Sequence, residues 1–112
     1  MTNREFADAC NLRILVEGDP DRQISGGYCG DLLSWVMGRA QEGSAWFTVM
    51  GNVNAIAVAT LADTACIVLA EDSPLDEAAK NRAEQQDVTI YQSSRTAYDL
   101  AVMLHELLEK SK

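Results

Sequence analysis

The sequence predicts an α/β fold, a single three-layer α/β/α domain on a mostly parallel sheet, and three observations carry that prediction. Helical and extended patterns alternate along the chain, the order expected of a sheet with helices on both faces. ACIVLA (65–70) is an unbroken apolar run, as in a strand covered on both sides. Between it and the preceding strand lies GNVNAIAVATLAD, which matches the crossover of about a dozen residues that joins parallel neighbours. A chain of 112 residues can bury one core and not comfortably two, so residues 1–112 are expected to form a single domain.

From the N-terminus, residues 2–9 read as a short helix with Phe6 and Ala9 or Cys10 on one side, and LRILVEG as a strand ended by Gly18. GDPDRQ is turn chemistry, with Pro20 between two aspartates, and RQIS allows a short extended piece before the glycines. From Asp31, the residues Leu32, Leu33, Val36, Met37 and Ala40 recur at helical spacing, and Gly43 stands where a stop is expected. Residues 45–50 (AWFTVM) are aromatic and β-branched, hence a strand. GNVNAIAVATLAD could extend by its β-branched content, but the crossover assigns it to a helix capped near Asn52 or Asn54. Ser73, Pro74 and Asp76 have the arrangement of a capping box with a favourable proline, opening an exposed helix that ends near Gln86. VTIY (88–91) is the last strand. Ser93 or Ser94 then caps a helix whose stripe is Ala97, Ala101, Leu104 and Leu108, widened by Leu100 and Leu107.

The composition, 47% hydrophobic and 23% charged with two prolines, is that of a soluble globular protein. No window approaches the roughly 20 apolar residues of a membrane span, and MTNREFADAC has no signal-peptide character, so a cytoplasmic address and no membrane partner are expected. A net charge of −8 with a pI of about 4.4, and no basic stripe, exclude nucleic acid. A small anion is not excluded, since helix N-termini can bind one locally. Cys10, Cys29 and Cys66 are odd in number, widely spaced and accompanied by His105 alone among histidines, which argues against a disulfide framework or zinc. EDSPLDE and Glu84 have no metal-loop spacing, so neither metal nor cofactor is expected.

In open α/β sheets the binding crevice lies beyond the carboxyl ends of the strands. Three connections are expected there, GGYCGD, MGNVN and QSSR, each ending at a helix start with free N–H groups. Gly26 and Gly27 would let main chain approach a ligand, Tyr28 would stack on a ring, and Asn52, Asn54, Ser93 and Ser94 would hydrogen-bond it. The same residues serve equally as a positive-φ turn and as helix caps, and on sequence both readings stand. GGYCG lacks the dinucleotide-fingerprint spacing and no P-loop occurs. No nucleophile has a base partner; Cys29, at a helix mouth that could lower its pKa, is the one thiol on which a hydrolase or transferase reading rests. His105 reads as structural. Trp35, at the edge of its helix's apolar stripe, either packs under a loop or marks an oligomer contact, and the interface reading is favoured.

Asp21, Arg22, Gly26 and Gly27 resemble the motif of the DRTGG domain family, with Ser25 in place of threonine and with Gln23 and Ile24 as extra residues inside the motif. GDLLSWVM, the block from AWFTVM to IVLAE, and TAYDLAVMLHELL also resemble stand-alone members, so the likeness covers nearly the whole chain. The resemblance extends to the N-terminal domain of HPr kinase/phosphorylase and to modules of phosphotransacetylases and CBS-domain pyrophosphatases. It implies a non-catalytic regulatory domain, a homodimer, binding an adenine nucleotide or related phosphorylated small molecule, with Arg22 supplying local positive charge. Only Asp21, Arg22, Gly26 and Gly27 are carried over from the family motif. The alternative is an interaction module that docks on a partner enzyme through the Trp35 face without a small ligand.

Overall fold

Alternation along the central strands divides the core in two. The structure is a computed structural model that describes residues 1–111, and its elements run α1 (Asn3–Ala9), β1 (Arg13–Val16), β2 (Gly26–Cys29), α2 (Leu33–Arg39), β3 (Ser44–Thr48), α3 (Val53–Ala62), β4 (Cys66–Leu69), α4 (Glu77–Gln86), β5 (Ile90–Gln92) and α5 (Ala97–Lys110). They form one five-stranded sheet of order β1-β5-β4-β3-β2, in which only β1 is antiparallel to its neighbour. Ala45, Phe47, Cys66, Val68 and Tyr91 face α1 and α5, whereas Trp46, Ile67, Leu69 and Ile90 face α2, α3 and α4. The three-layer architecture and the mostly parallel sheet are therefore as the sequence predicts.

Connectivity explains which helices share a face. β2, β3, β4 and β5 are each parallel to the next and step across the sheet in one direction, so crossovers of one hand place α2, α3 and α4 on the same side. After β5 the chain crosses to the other side, where Leu100 and Leu104 of α5 pack with Phe6 and Ala7 of α1. Phe6 meets Phe47 edge-on, with ring centroids 6.2 Å apart. Trp46, fully buried, donates from Nε1 to the Gly30 carbonyl at 2.8 Å and so leaves no orphaned donor.

Caps set most boundaries. Thr2 and Glu5 form a reciprocal capping box on α1, Asn52 Oδ1 accepts from Ala55 N at 2.9 Å to open α3, and Thr96 Oγ1 accepts from Asp99 N at 3.2 Å to open α5. The α5 cap is thus Thr96, neither Ser93 nor Ser94, because Ser93 is held in the sheet by its amide bond to Leu69 O. The expected Ser73 box is absent also: Asp76 is the N-cap of α4, and Ser73 Oγ donates to Ala70 O. α2 starts at Leu33, later than expected, because Asp31 instead accepts from Thr48 Oγ1 at 2.6 Å and Val49 N at 2.9 Å.

One strand is absent from the sequence reading. GGYC, expected as a loop at a helix mouth, is β2, in register with Ser44–Phe47 at the edge of the sheet. Glycine disfavours strands by propensity, which hid it. Gly27 sits in a close contact: an added Cβ would lie 3.2 Å from Phe47 Cε2 and 3.3 Å from Leu104 Cδ2, so its missing side chain lets these two side chains pack against the strand. Neither Gly26 nor Gly27 has positive φ; Gly18 and Gly43 are the glycines that do.

Candidate functional site

Adjacent connections diverge at one place on the carboxyl side of the sheet. The segment after β4 turns to α4 on one face, and the segment after β5 turns to α5 on the other, which makes a topological switch point. A polar cleft of about 530 Å³ opens there, lined by Asn11, Leu12, Arg13, Asp72, Gln92, Ser93, Ser94 and Arg95. Because β1 is antiparallel, its first residue, Arg13, pairs in register with Gln92, the last residue of β5, and so joins the wall.

The walls are tied together by short-range bonds. Arg13 Nη1 donates to Gln92 Oε1 and stands 3.9 Å from Asp72 Oδ1, a loose contact between two exposed groups. Gln92 Nε2 donates to Ser73 O at 2.9 Å. Arg95 Nη1 donates to Cys10 O at 2.9 Å, while its amide donates to Ser93 Oγ at 3.1 Å. Glu71 N donates to Arg95 O and Asp72 N to Ser93 O, each at 2.9 Å. Those two acidic residues hold left-handed φ values of 55° and 56°, a conformation that costs roughly 1 kcal/mol or more per non-glycine residue. Two guanidiniums with unused N–H groups, two serine hydroxyls and a single aspartate on the wall suit a phosphate-bearing ligand.

The other expected residues are dispersed. Of the eight proposed for ligand binding, only Ser93 and Ser94 line this cleft. Gly26 and Gly27 lie in β2 at the far edge of the sheet, beside a separate groove of about 290 Å³ under α5, so they are not a helix-mouth cradle. Tyr28 packs half-buried in the cluster on the other face, where its ring sits 3.1 Å from the position a Gly30 Cβ would take. Asn52 spends its side chain on capping α3, and Asn54 is exposed on the first turn of that helix.

Arg22 is at the opposite end of the strands. Its guanidinium donates to Asp63 Oδ1 at 3.0 Å and to Asp63 O at 3.2 Å, pinning the segment before β2 to the left-handed cap of α3. That hydrogen bond holds the Asp63 carboxyl below the usual carboxylate range and raises the Arg22 pKa further. Arg22 is thus paired with Asp63 and lies outside the cleft, beside a separate pocket of about 220 Å³. Trp35 is exposed, and the Arg39 guanidinium covers its ring at 3.6 Å.

Cys29 does not sit at a helix N-terminus. Burial first, and then the neighbouring Asp31 carboxylate, push its thiol pKa up, the reverse of what an activated nucleophile needs. Cys66 is fully buried and pushed up to about 12 by desolvation. Among the described residues no group of three metal-ligating side chains comes together, and no described helix is long and apolar enough to cross a membrane. Sequence reasoning missed Arg13 and Gln92, whose place in the cleft depends on β1 running antiparallel. Arg95 was within reach, since it closes the QSSR connection.

The class defined by this fold and site is an α/β domain on a mostly parallel sheet, with a crevice at the carboxyl end of its parallel strands. Among solved structures, the fold is similar to that of the CBS and DRTGG domains of the regulatory region of Clostridium perfringens pyrophosphatase, determined with the activator diadenosine tetraphosphate. The TM-score is 0.69 at 7% sequence identity, over 88% of this chain and 44% of that one. The chain thus spans less than half the length of that structure, and at this identity the likeness speaks for a DRTGG-like fold. No protein-family model and no curated protein matches the sequence.

Proposed function

We propose that this chain is a non-catalytic regulatory domain that senses an adenine nucleotide or a related phosphorylated small molecule, and that its site is the switch-point cleft. The observation that carries the reading is the convergence of Arg13 and Arg95 with Ser93 and Ser94 in one polar cleft of about 530 Å³, on a chain whose net charge is −8. Local cations are needed there because the acidic surface repels phosphate at long range. The similar pyrophosphatase regulatory region, which binds diadenosine tetraphosphate, supports a ligand of this chemistry. Tyr98, three residues beyond Arg95, is the exposed aromatic nearest to that residue in sequence.

Isothermal titration against ATP, AMP and diadenosine tetraphosphate tests the proposal. The expected result is saturable binding that Arg13→Gln and Arg95→Gln each weaken by about tenfold, equivalent to the loss of about one charge-assisted hydrogen bond, and that Arg22→Ala leaves unchanged. No heat up to millimolar ligand, or binding indifferent to both arginines, would reject it. The docking-module alternative draws on the exposed side chains of Leu32, Trp35 and Met37 at α2, and predicts flat titrations together with loss of a protein partner in Trp35→Ala.

A further inference from the structure

The two edges of the sheet are unequally guarded. β1 carries Arg13 and is followed by Glu17, which is 4.0 Å from Arg4, so that edge bears the charges that discourage strand pairing. β2 has no such protection: from Gln23 to Gly30 the sequence QISGGYCG has no residue charged at neutral pH. The phase of its ladder is fixed by Gly30 N, which donates to Phe47 O at 3.2 Å. Alternation then directs the main-chain polar groups of Tyr28 toward β3 and those of Gly27 and Cys29 toward the free edge, and both of these residues are exposed. Toward the N-terminal side the edge is already closed, since Ile24 N donates to Met1 O and Thr2 bridges to Gln23.

We propose that this edge pairs with the same edge of a second copy, β2 antiparallel to β2, about a two-fold axis through Tyr28. In that register Gly27 of one protomer faces Cys29 of its partner and exchanges both N–H···O bonds with it, twice over by symmetry, which satisfies every outward group of the strand. The outward pattern is symmetric about Tyr28, and so complements itself. A foreign peptide gains little here, because glycines at 26 and 27 leave no side-chain relief for reading a sequence. Two copies of a chain with net charge −8 repel over most of their surfaces, and this stretch is one where no formal charges meet.

The axis, perpendicular to the sheet, keeps both α5 helices on one face. Each would lie alongside the groove of about 290 Å³ whose lining includes Phe47, Ala101, Leu104 and Leu108 with His105 among them, extending this mainly apolar layer across the junction. This surface lies at the opposite edge of the sheet from the Arg13–Arg95 cleft, so the two proposals fail separately.

Light scattering coupled to size exclusion on the full chain, from 10 to 100 µM (about the range in which a weak dimer is populated), gives the test. The expected mass is twice 12.2 kDa. Cys29→Lys and Gly26→Lys place a charge at the seam without crowding the monomer, since Cys29 is exposed and a Gly26 Cβ meets nothing within 4 Å. Each should weaken the dimer by at least about tenfold with unchanged circular dichroism. Tyr28→Cys in a Cys29→Ser background should form an intermolecular disulfide on mild oxidation, because a non-hydrogen-bonded antiparallel pair brings Cα atoms to about 4.5 Å. A monomer throughout, a dimer that survives both lysines, or one lost only in Trp35→Ala would each overturn the proposal.

Discussion

Substituting Gly51 by alanine perturbs the support behind the cleft without touching its lining. Gly51 lies between β3 and α3, and an added Cβ would lie 2.0 Å from Pro74 O, 3.0 Å from Pro74 C and 3.1 Å from Leu75 Cα. All three are main-chain atoms, so no rotamer change relieves the contact, and the loop after β4 must move by about 1 Å to restore van der Waals separation. The shift strains the bond from Asp76 N to Gly51 O, 2.8 Å long, at the start of α4. Overpacking costs about 1–3 kcal/mol and a lost hydrogen bond about 1 kcal/mol, giving about 2–4 kcal/mol in total. For a chain of this size that corresponds to a drop in Tm of about 10–20 °C. Guanidinium and thermal denaturation followed by circular dichroism measure it directly. A Gly51→Ala protein within about 0.5 kcal/mol of the parent would show that the two loops are not in the contact described.

Other perturbations read other parts of the structure. Leu104→Ala empties a position between α5, Phe47 and Gly27 and should cost about 2–5 kcal/mol in denaturant unfolding, whereas Trp35→Ala should stay within about 0.5 kcal/mol. Arg22→Ala should cost about 0.5 kcal/mol at neutral pH, a modest figure because the Asp63 side chain is more than half exposed. The Asp63 pKa is depressed in the folded state, so the ion-pair part of that stabilisation is present above the ordinary aspartate value of about 3.9 and is lost as the pH falls through the lower folded value; denaturant unfolding at pH 7 and at successively more acidic pH should show the difference between the two proteins shrink, leaving only what the bond to the Asp63 carbonyl contributes. Under native conditions a thiol reagent should modify one cysteine, Cys29, and only slowly at neutral pH because its pKa is raised; modification of Cys10 or Cys66 before denaturation would contradict their burial.

How much of this was legible in the sequence varies with the range of the interaction. Helices α2 and α5 and strands β3 and β4 follow from local periodicity and apolar runs, whereas α3, whose β-branched content would also suit a strand, follows from the crossover that parallel neighbours require. β2 does not, because a strand of GGYC is specified by what surrounds it: it pairs with β3, and Phe47 and Leu104 pack closely over Gly27, contacts from residues distant in sequence. The cleft divides in the same way. Ser93 and Ser94 were reachable from the rule that ligands bind beyond strand ends, but which of the three connections forms the crevice depends on α4 and α5 leaving on opposite faces. Arg13 enters only through antiparallel pairing across the chain, and Arg22, carried by the motif likeness, is spent on Asp63. Asn52 shows the simpler use of its type, a cap.

The most direct measurement of the central claim is an amide NMR titration of the labelled chain with diadenosine tetraphosphate and, in parallel, with inorganic phosphate. The account predicts saturable shifts confined to Asn11–Arg13, Glu71–Ser73 and Gln92–Thr96, strongest with the nucleotide and weakened in Arg95→Gln. Shifts centred on Gly26–Cys29 or Asn52–Asn54 with the cleft unmoved, or no shifts at millimolar ligand, would contradict it.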